Sequence, residues 1–139
     1  AGTECDVPVI SNDFYYTLLD MASVDVPKEK VCEGESIVPL LEGGKIGKRA
    51  LYWHFPHYSN HGMQSPGGAI RYGDYKLLEY FENGTVQLFD LKTDLGEQHD
   101  LSAEKPGVVK KLRKMLHAWR ESVGASMPEP NPNFTGDKR

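Results

Sequence analysis

Val108, Val109, Leu112, Met115, Leu116, Trp119 and Val123 fall on one face of an α-helix, while Lys110, Lys111, Arg113, Lys114 and Arg120 sit mostly off it. Pro106 suits the first turn of such a helix and Gly124 its end. So wide an apolar stripe must be covered by a broad surface, and the preceding segment supplies one. Leu51, Trp53 and Phe55 alternate with Tyr52 and His54 as a half-buried strand requires, and Pro56 closes that strand. Three more strands are predicted over 69–72, 75–81 and 85–90, joined at Gly73-Asp74 and Asn83-Gly84. Asn-Gly between strand formers tolerates the positive φ of a tight hairpin turn. The pattern predicts an α+β fold: a four-stranded antiparallel sheet with a long C-terminal helix packed on one face. Trp119, Leu112, Leu116 and Val109 are expected to meet Leu51, Trp53, Leu77 or Leu78.

Upstream, Val7 to Ile10 is β-branched and reads as the end of a strand, and Ser11-Asn12-Asp13 offers capping oxygens. A helix from Phe14 to Ala22 should bury a broad face of Phe14, Leu18, Leu19 and Met21 or Ala22. The stretch from Ser23 to Gly34 is polar and reads as a connection, and Ser36 to Leu41 as a short helical turn ended by Gly43-Gly44. After Met127, three prolines leave an extended tail. With 139 residues the chain has room for one ordinary domain. No window approaches the roughly 20 apolar residues of a bilayer span, and Ala1 to Asp6 lacks the basic and apolar regions of a signal peptide, so no membrane partner is expected. A formal charge of -4 gives no basic field for a polyanion, so nucleic acid is not expected either, and the basic face of the last helix reads as solvated. Cys5 and Cys32 form no CxxC pair, and free thiols are favoured over a bridge between them.

Chemistry concentrates in residues 54–62, which hold three of the five histidines. A metal site would need a rigid helical pair of ligands, which Pro56 and the glycines prevent, so no metal ligand is assigned. A recognition loop is the second reading, in which His54, His57, Tyr58, Asn60 and His61 offer hydrogen bonds to an anionic or sugar ligand. The third is a surface loop whose histidines cap strand ends. No catalytic residue is expected: no Ser or Cys has an activating context, and Gly67-Gly68 is no phosphate loop. Asp90, Asp94, Glu97 and Asp100 lack the spacing of a calcium loop and read as a solvated turn. Asn83-Gly84-Thr85 and Asn133-Phe134-Thr135 fit the glycosylation tripeptide, which is common by chance.

Taken in order, several segments resemble the C-terminal region of a type I sulfatase, of the arylsulfatase branch of the alkaline phosphatase superfamily. They are 13–22 (DFYYTLLDMA), 36–41 (SIVPLL), 69–77 (AIRYGDYKL) and 88–91 (LFDL), followed by Gly96-Glu97 and Leu101. The resemblance implies that residues 1–45 end a large α/β domain, with a short helical segment at its edge. It further implies that 46–125 form the sheet-and-helix subdomain and 126–139 a Pro-rich tail. The family's nucleophile, a formylglycine within Cys/Ser-x-Pro-x-Arg, has no counterpart here. By resemblance, calcium and formylglycine belong to the parent enzyme, whose upstream catalytic domain is the partner, and the substrate is a sulfated carbohydrate or aryl sulfate. The resemblance is compatible with a periplasmic or secreted parent. The fragment itself is expected to be inactive, with residues 54–61 on the substrate side. A stand-alone carbohydrate- or protein-binding module is the alternative.

Overall fold

The computed structural model describes residues 2–26, 29, 33–59, 65–129 and 131–133. The chain falls into two units, Ala1–Lys48 and Arg49–Arg139.

The first unit holds helix α1, Asp13–Met21, and the single turn α2, Val38–Leu41. Val7 to Ile10 forms no strand. The helix forms where expected but buries its other face. Phe14, Leu18 and Met21 are exposed, whereas Asp13 and Thr17 are buried. The reason is a set of backbone donors that needed acceptors. Of the capping oxygens offered by Ser11-Asn12-Asp13, that of the N-cap residue Asn12 makes no side-chain capping hydrogen bond, and Asp13 is the one that engages nearby backbone. Its own carboxylate accepts the Ile10 N–H at 2.8 Å and the Glu35 N–H at 3.2 Å. One turn on, the Thr17 hydroxyl donates to the Asp13 carbonyl at 2.7 Å and accepts the Ile37 N–H at 3.1 Å. Asp20, a further turn along, accepts from the Ser36 hydroxyl. Asp13, Thr17 and Asp20 thus form a polar strip at helical spacing that ties residues 35–37 to α1.

The second unit contains β1 (Ala50–Phe55), β2 (Gly67–Tyr72), β3 (Tyr75–Tyr80), β4 (Val86–Asp90) and α3 (Pro106–Ser122). The strands run antiparallel in the order β1-β2-β3-β4, the meander read from the sequence. At the β3–β4 turn Gly84 has φ of +67°, and the Asn83 side chain accepts the Thr85 N–H at 3.0 Å. Asn-Gly therefore acts here through both backbone freedom and a side-chain hydrogen bond. After β4, Asp94 accepts the Gln98 and His99 N–H groups, and Asp100 accepts those of Leu88 and Ser102. The acidic run closes a turn and fastens it to the sheet.

Register decides which side chains meet α3. Tyr52, Ile70, Leu77 and Leu88 lie opposite one another across the four strands. Ile70, Leu77 and Leu88 form the buried cluster with Leu112 and Leu116 of the helix. Trp119 stacks on Tyr52 with ring centroids 4.8 Å apart and planes 2° from parallel. Strand alternation sends Leu51, Trp53 and Leu78 to the opposite face, so of the four sheet partners expected for the helix only Leu77 serves. Leu116 is fully buried at the centre of this cluster. Leu116→Ala should therefore lower unfolding stability by roughly 2–5 kcal/mol, read as a fall in urea midpoint with unchanged m-value.

Candidate functional site

The next row across the sheet is polar. His54 lies opposite Gly68, Gly68 opposite Glu79, and Glu79 opposite Val86. Glu79 is 5% exposed on the helix-covered face, a position where an unpaired carboxylate would be costly. Helix α3 answers it with side chains at i, i+4 and i+7. Arg113 Nε donates to Glu79 Oε1 at 2.7 Å. His117 Nε2 donates to both oxygens at 2.9 and 3.0 Å. Arg120 Nη2 stands 2.7 Å from Oε2 as an ion pair. Gly68 makes the last contact feasible, because a Cβ there would lie 2.6 Å from Arg120 Nη2. Sequence patterning placed Arg113 and Arg120 on a solvated face, yet Arg120 is buried. The signal was present as one acidic residue at an inward strand position, two after Leu77, with basic residues at helical spacing.

This hub reaches the histidine-rich loop through aromatic contacts. The Arg120 guanidinium lies 4.7 Å over the Phe81 ring. Phe81 packs against His54 at 5.4 Å. His54 Nε2 lies 2.7 Å from the Ser126 carbonyl oxygen, so that nitrogen carries the proton and ties the tail to the end of β1. In front of Phe81 opens a groove of ≈ 770 Å³ walled by Pro56, Tyr58, Pro66, Glu82 and Pro128. The Tyr58 hydroxyl donates to Glu82 Oε1 at 2.6 Å across it. That hydrogen bond to a carboxylate holds the phenol proton, raising the Tyr58 pKa above its ordinary value.

Of the sequence-selected loop residues, Tyr58 lines the groove with Phe81, whereas His54 packs against Phe81 without lining the groove. His57 is exposed and packs its ring against Phe55 at 4.5 Å. Asn60 and His61 lie outside the described residues. What the loop reading missed is the opposite wall: Phe81, Glu82 and Pro128 come from the hairpin and the tail, far away in sequence.

Burial alone would push the Glu79 pKa up, but the hydrogen bonds from Arg113, His117 and Arg120 outweigh it and bring it down to about 2. A depressed carboxylate stabilises the fold fully above its unfolded pKa and loses that contribution as pH falls through the folded one. The shift corresponds to roughly 3 kcal/mol, present above about pH 4.5 and lost towards pH 2. Acid titration of stability should show this decline in the native chain. In Glu79→Gln the decline should flatten while stability at neutral pH drops by about 3–5 kcal/mol, because the buried Arg120 is left without its counter-charge.

Comparison with known proteins accords with this architecture. The sequence profile of the family described as N-sulphoglucosamine sulphohydrolase, C-terminal, matches residues 1–122. A sulfatase of Formosa agariphila is 36% identical over 122 residues, covering 77% of this chain and 22% of that protein. An N-acetylglucosamine-6-O-sulfatase of Bacteroides thetaiotaomicron is 29% identical over 149 residues, covering 100% of this chain and 26% of its own length. A solved structure of an enzyme in complex with its substrate D-glucosamine-2-N,6-O-disulfate superposes with TM-score 0.68 at 28% identity, covering 84% of this chain and 24% of that one. The chain thus spans about a quarter of the length of the relatives it matches. With a family profile covering 122 residues, and a four-stranded sheet under a C-terminal helix that superposes with TM-score 0.69 at 26% identity on a putative sulfatase of Bacteroides thetaiotaomicron, this chain belongs to the N-sulphoglucosamine sulphohydrolase C-terminal family of sulfatase domains.

Proposed function

We propose that this chain is the C-terminal portion of a sulfatase that walls one side of a sulfated-sugar pocket and leaves bond cleavage to an upstream catalytic domain. In this reading residues 1–45 end the large domain, 46–125 form the small subdomain and 126–139 the tail. The observation that carries it is the Phe81 groove, which sits beside the histidine-rich loop in a chain whose family is that of sulfatases.

The calcium ion and formylglycine of such an enzyme do not fit the residues at hand. Among the described residues no three of His, Cys, Asp and Glu are grouped to hold a metal ion. The Cys/Ser-x-Pro-x-Arg pentapeptide does not occur in the sequence. Both groups therefore fall to the upstream domain.

The groove's own chemistry suits the uncharged part of a sugar. Glu82 and Glu129 line it, and their carboxylates accept hydrogen bonds from hydroxyls but repel a sulfate. Tyr58, held by Glu82, presents a ring face for a sugar to pack on, and exposed His57 lies next to it in the chain as a further donor. The sulfate ester then points away from the groove, towards the catalytic domain, with a natural substrate of sulfated oligosaccharide. Tyr58→Ala and His57→Ala in the full-length enzyme should each lower kcat/KM on such an oligosaccharide by roughly 1–3 kcal/mol. A small aryl sulfate, which does not reach the groove, should be turned over nearly as before. Equal losses on both substrates would assign these residues to folding or chemistry, and no loss on either would remove the groove from the substrate path.

A further inference from the structure

The basic stripe of α3 has a local character that the chain's overall charge of -4 conceals. Lys110, Arg113, Lys114 and His117 recur at helical spacing and line a shallow groove of ≈ 500 Å³ with Ser102 and Val109. Lys110 and Lys114 are exposed, and their ammonium groups have no ion pair or hydrogen bond among the described residues. Arg113 gives only its Nε to Glu79, which leaves its two outer nitrogens for another acceptor. Beneath the stripe, Arg120 joins Arg113 on the single carboxylate of Glu79, so positive charge exceeds negative on this side of the helix. Glu121, one turn beyond His117, marks the end of the stripe.

We propose that this stripe is a second, non-catalytic binding site for an extended sulfated polysaccharide, separate from the Phe81 groove. Lys110 to His117 spans roughly 10 Å of helix, too long for one sulfate and suited to successive sulfates along a chain. Lys ammonium groups and the Arg113 fork make charge-assisted hydrogen bonds to such oxyanions. No Phe, Tyr or Trp lines the groove, so the base stacking that single-stranded nucleic acid relies on has no platform there. The Phe81 groove carries carboxylates and this one carries cations, so the two divide the polymer, one taking hydroxyls near the scissile unit and the other anchoring distant sulfates. The choice of sulfated polysaccharide over other polyanions rests on the sulfatase reading above.

The test is equilibrium binding of dextran sulfate to the full-length protein, with unsulfated dextran and single-stranded DNA of matched length in parallel, from about 50 to about 200 mM salt. Dextran sulfate should bind with an affinity that falls with salt, and unsulfated dextran should not bind. Lys110→Glu with Lys114→Glu should weaken binding about tenfold or more and flatten the salt dependence. Lys45→Glu with Lys92→Glu, exposed lysines elsewhere with the same change in net charge, should weaken it less than about twofold. Thermal melts and hydrolysis of a small sulfated monosaccharide should be unchanged in the first pair. Equal weakening by the two pairs, tighter binding of DNA than of dextran sulfate, no binding by the native protein, or lost monosaccharide hydrolysis in the first pair would each overturn the proposal. Hydrolysis by the native enzyme reports on the sulfatase reading and dextran sulfate binding on the stripe, so the failure of one is distinguishable from that of the other.

Discussion

Glu79 occupies a position on the helix-covered face of the sheet that only a compensated charge can hold. It is compensated from one side, by Arg113, His117 and Arg120 of α3. Apolar packing of Leu112 and Leu116 on Ile70, Leu77 and Leu88 supplies the larger share of the helix-to-sheet attraction, but such packing is non-directional and tolerates sliding. A buried carboxylate with three partners does not tolerate it: moving α3 by one residue would leave Glu79 without them. We therefore assign the register of helix on sheet to the hub and the bulk of the stability to the apolar row beside it.

The same hub shapes the groove. Arg120, held by Glu79, lies on Phe81, and Phe81 also packs against His54. Phe81 in the groove is thus held by contacts with a guanidinium and an imidazole, while Tyr58 and Glu82, which also line the groove, share a hydrogen bond. Preorganisation of this kind lowers the entropic cost of holding a ligand. Under the function proposed above, this is how a domain without a nucleophile motif would influence the reaction: by fixing where the substrate's uncharged end sits.

The first unit follows a different logic. Its helix buries a strip of Asp13 and Thr17 rather than Phe14 and Leu18, because nearby backbone N–H groups of Ile10, Glu35 and Ile37 find acceptors there. Leaving those N–H groups buried without acceptors would cost about 1–3 kcal/mol each, so the hydrogen bonds hold this face inward.

The sequence by itself determined the element types and their order. The 3.6-residue stripe of α3, the alternation of Leu51 to Phe55 and the Asn83-Gly84 turn are local signals, each set by backbone geometry within a few residues. It determined the family too, through short segments kept in order from Asp13 to Leu101. The tertiary structure decided which faces meet. Strand alternation offers two faces without saying which the helix will choose, and cross-strand register selected Tyr52 and Leu77 over Leu51 and Trp53. It decided the candidate site as well, since Tyr58, Phe81, Glu82 and Pro128 converge only once the strands pair and the tail folds back to His54. Charges behaved in the same way. Arg120 and Lys114 look alike in a helical pattern, and only the presence of Glu79 across the interface makes one a buried structural cation and leaves the other free at the surface.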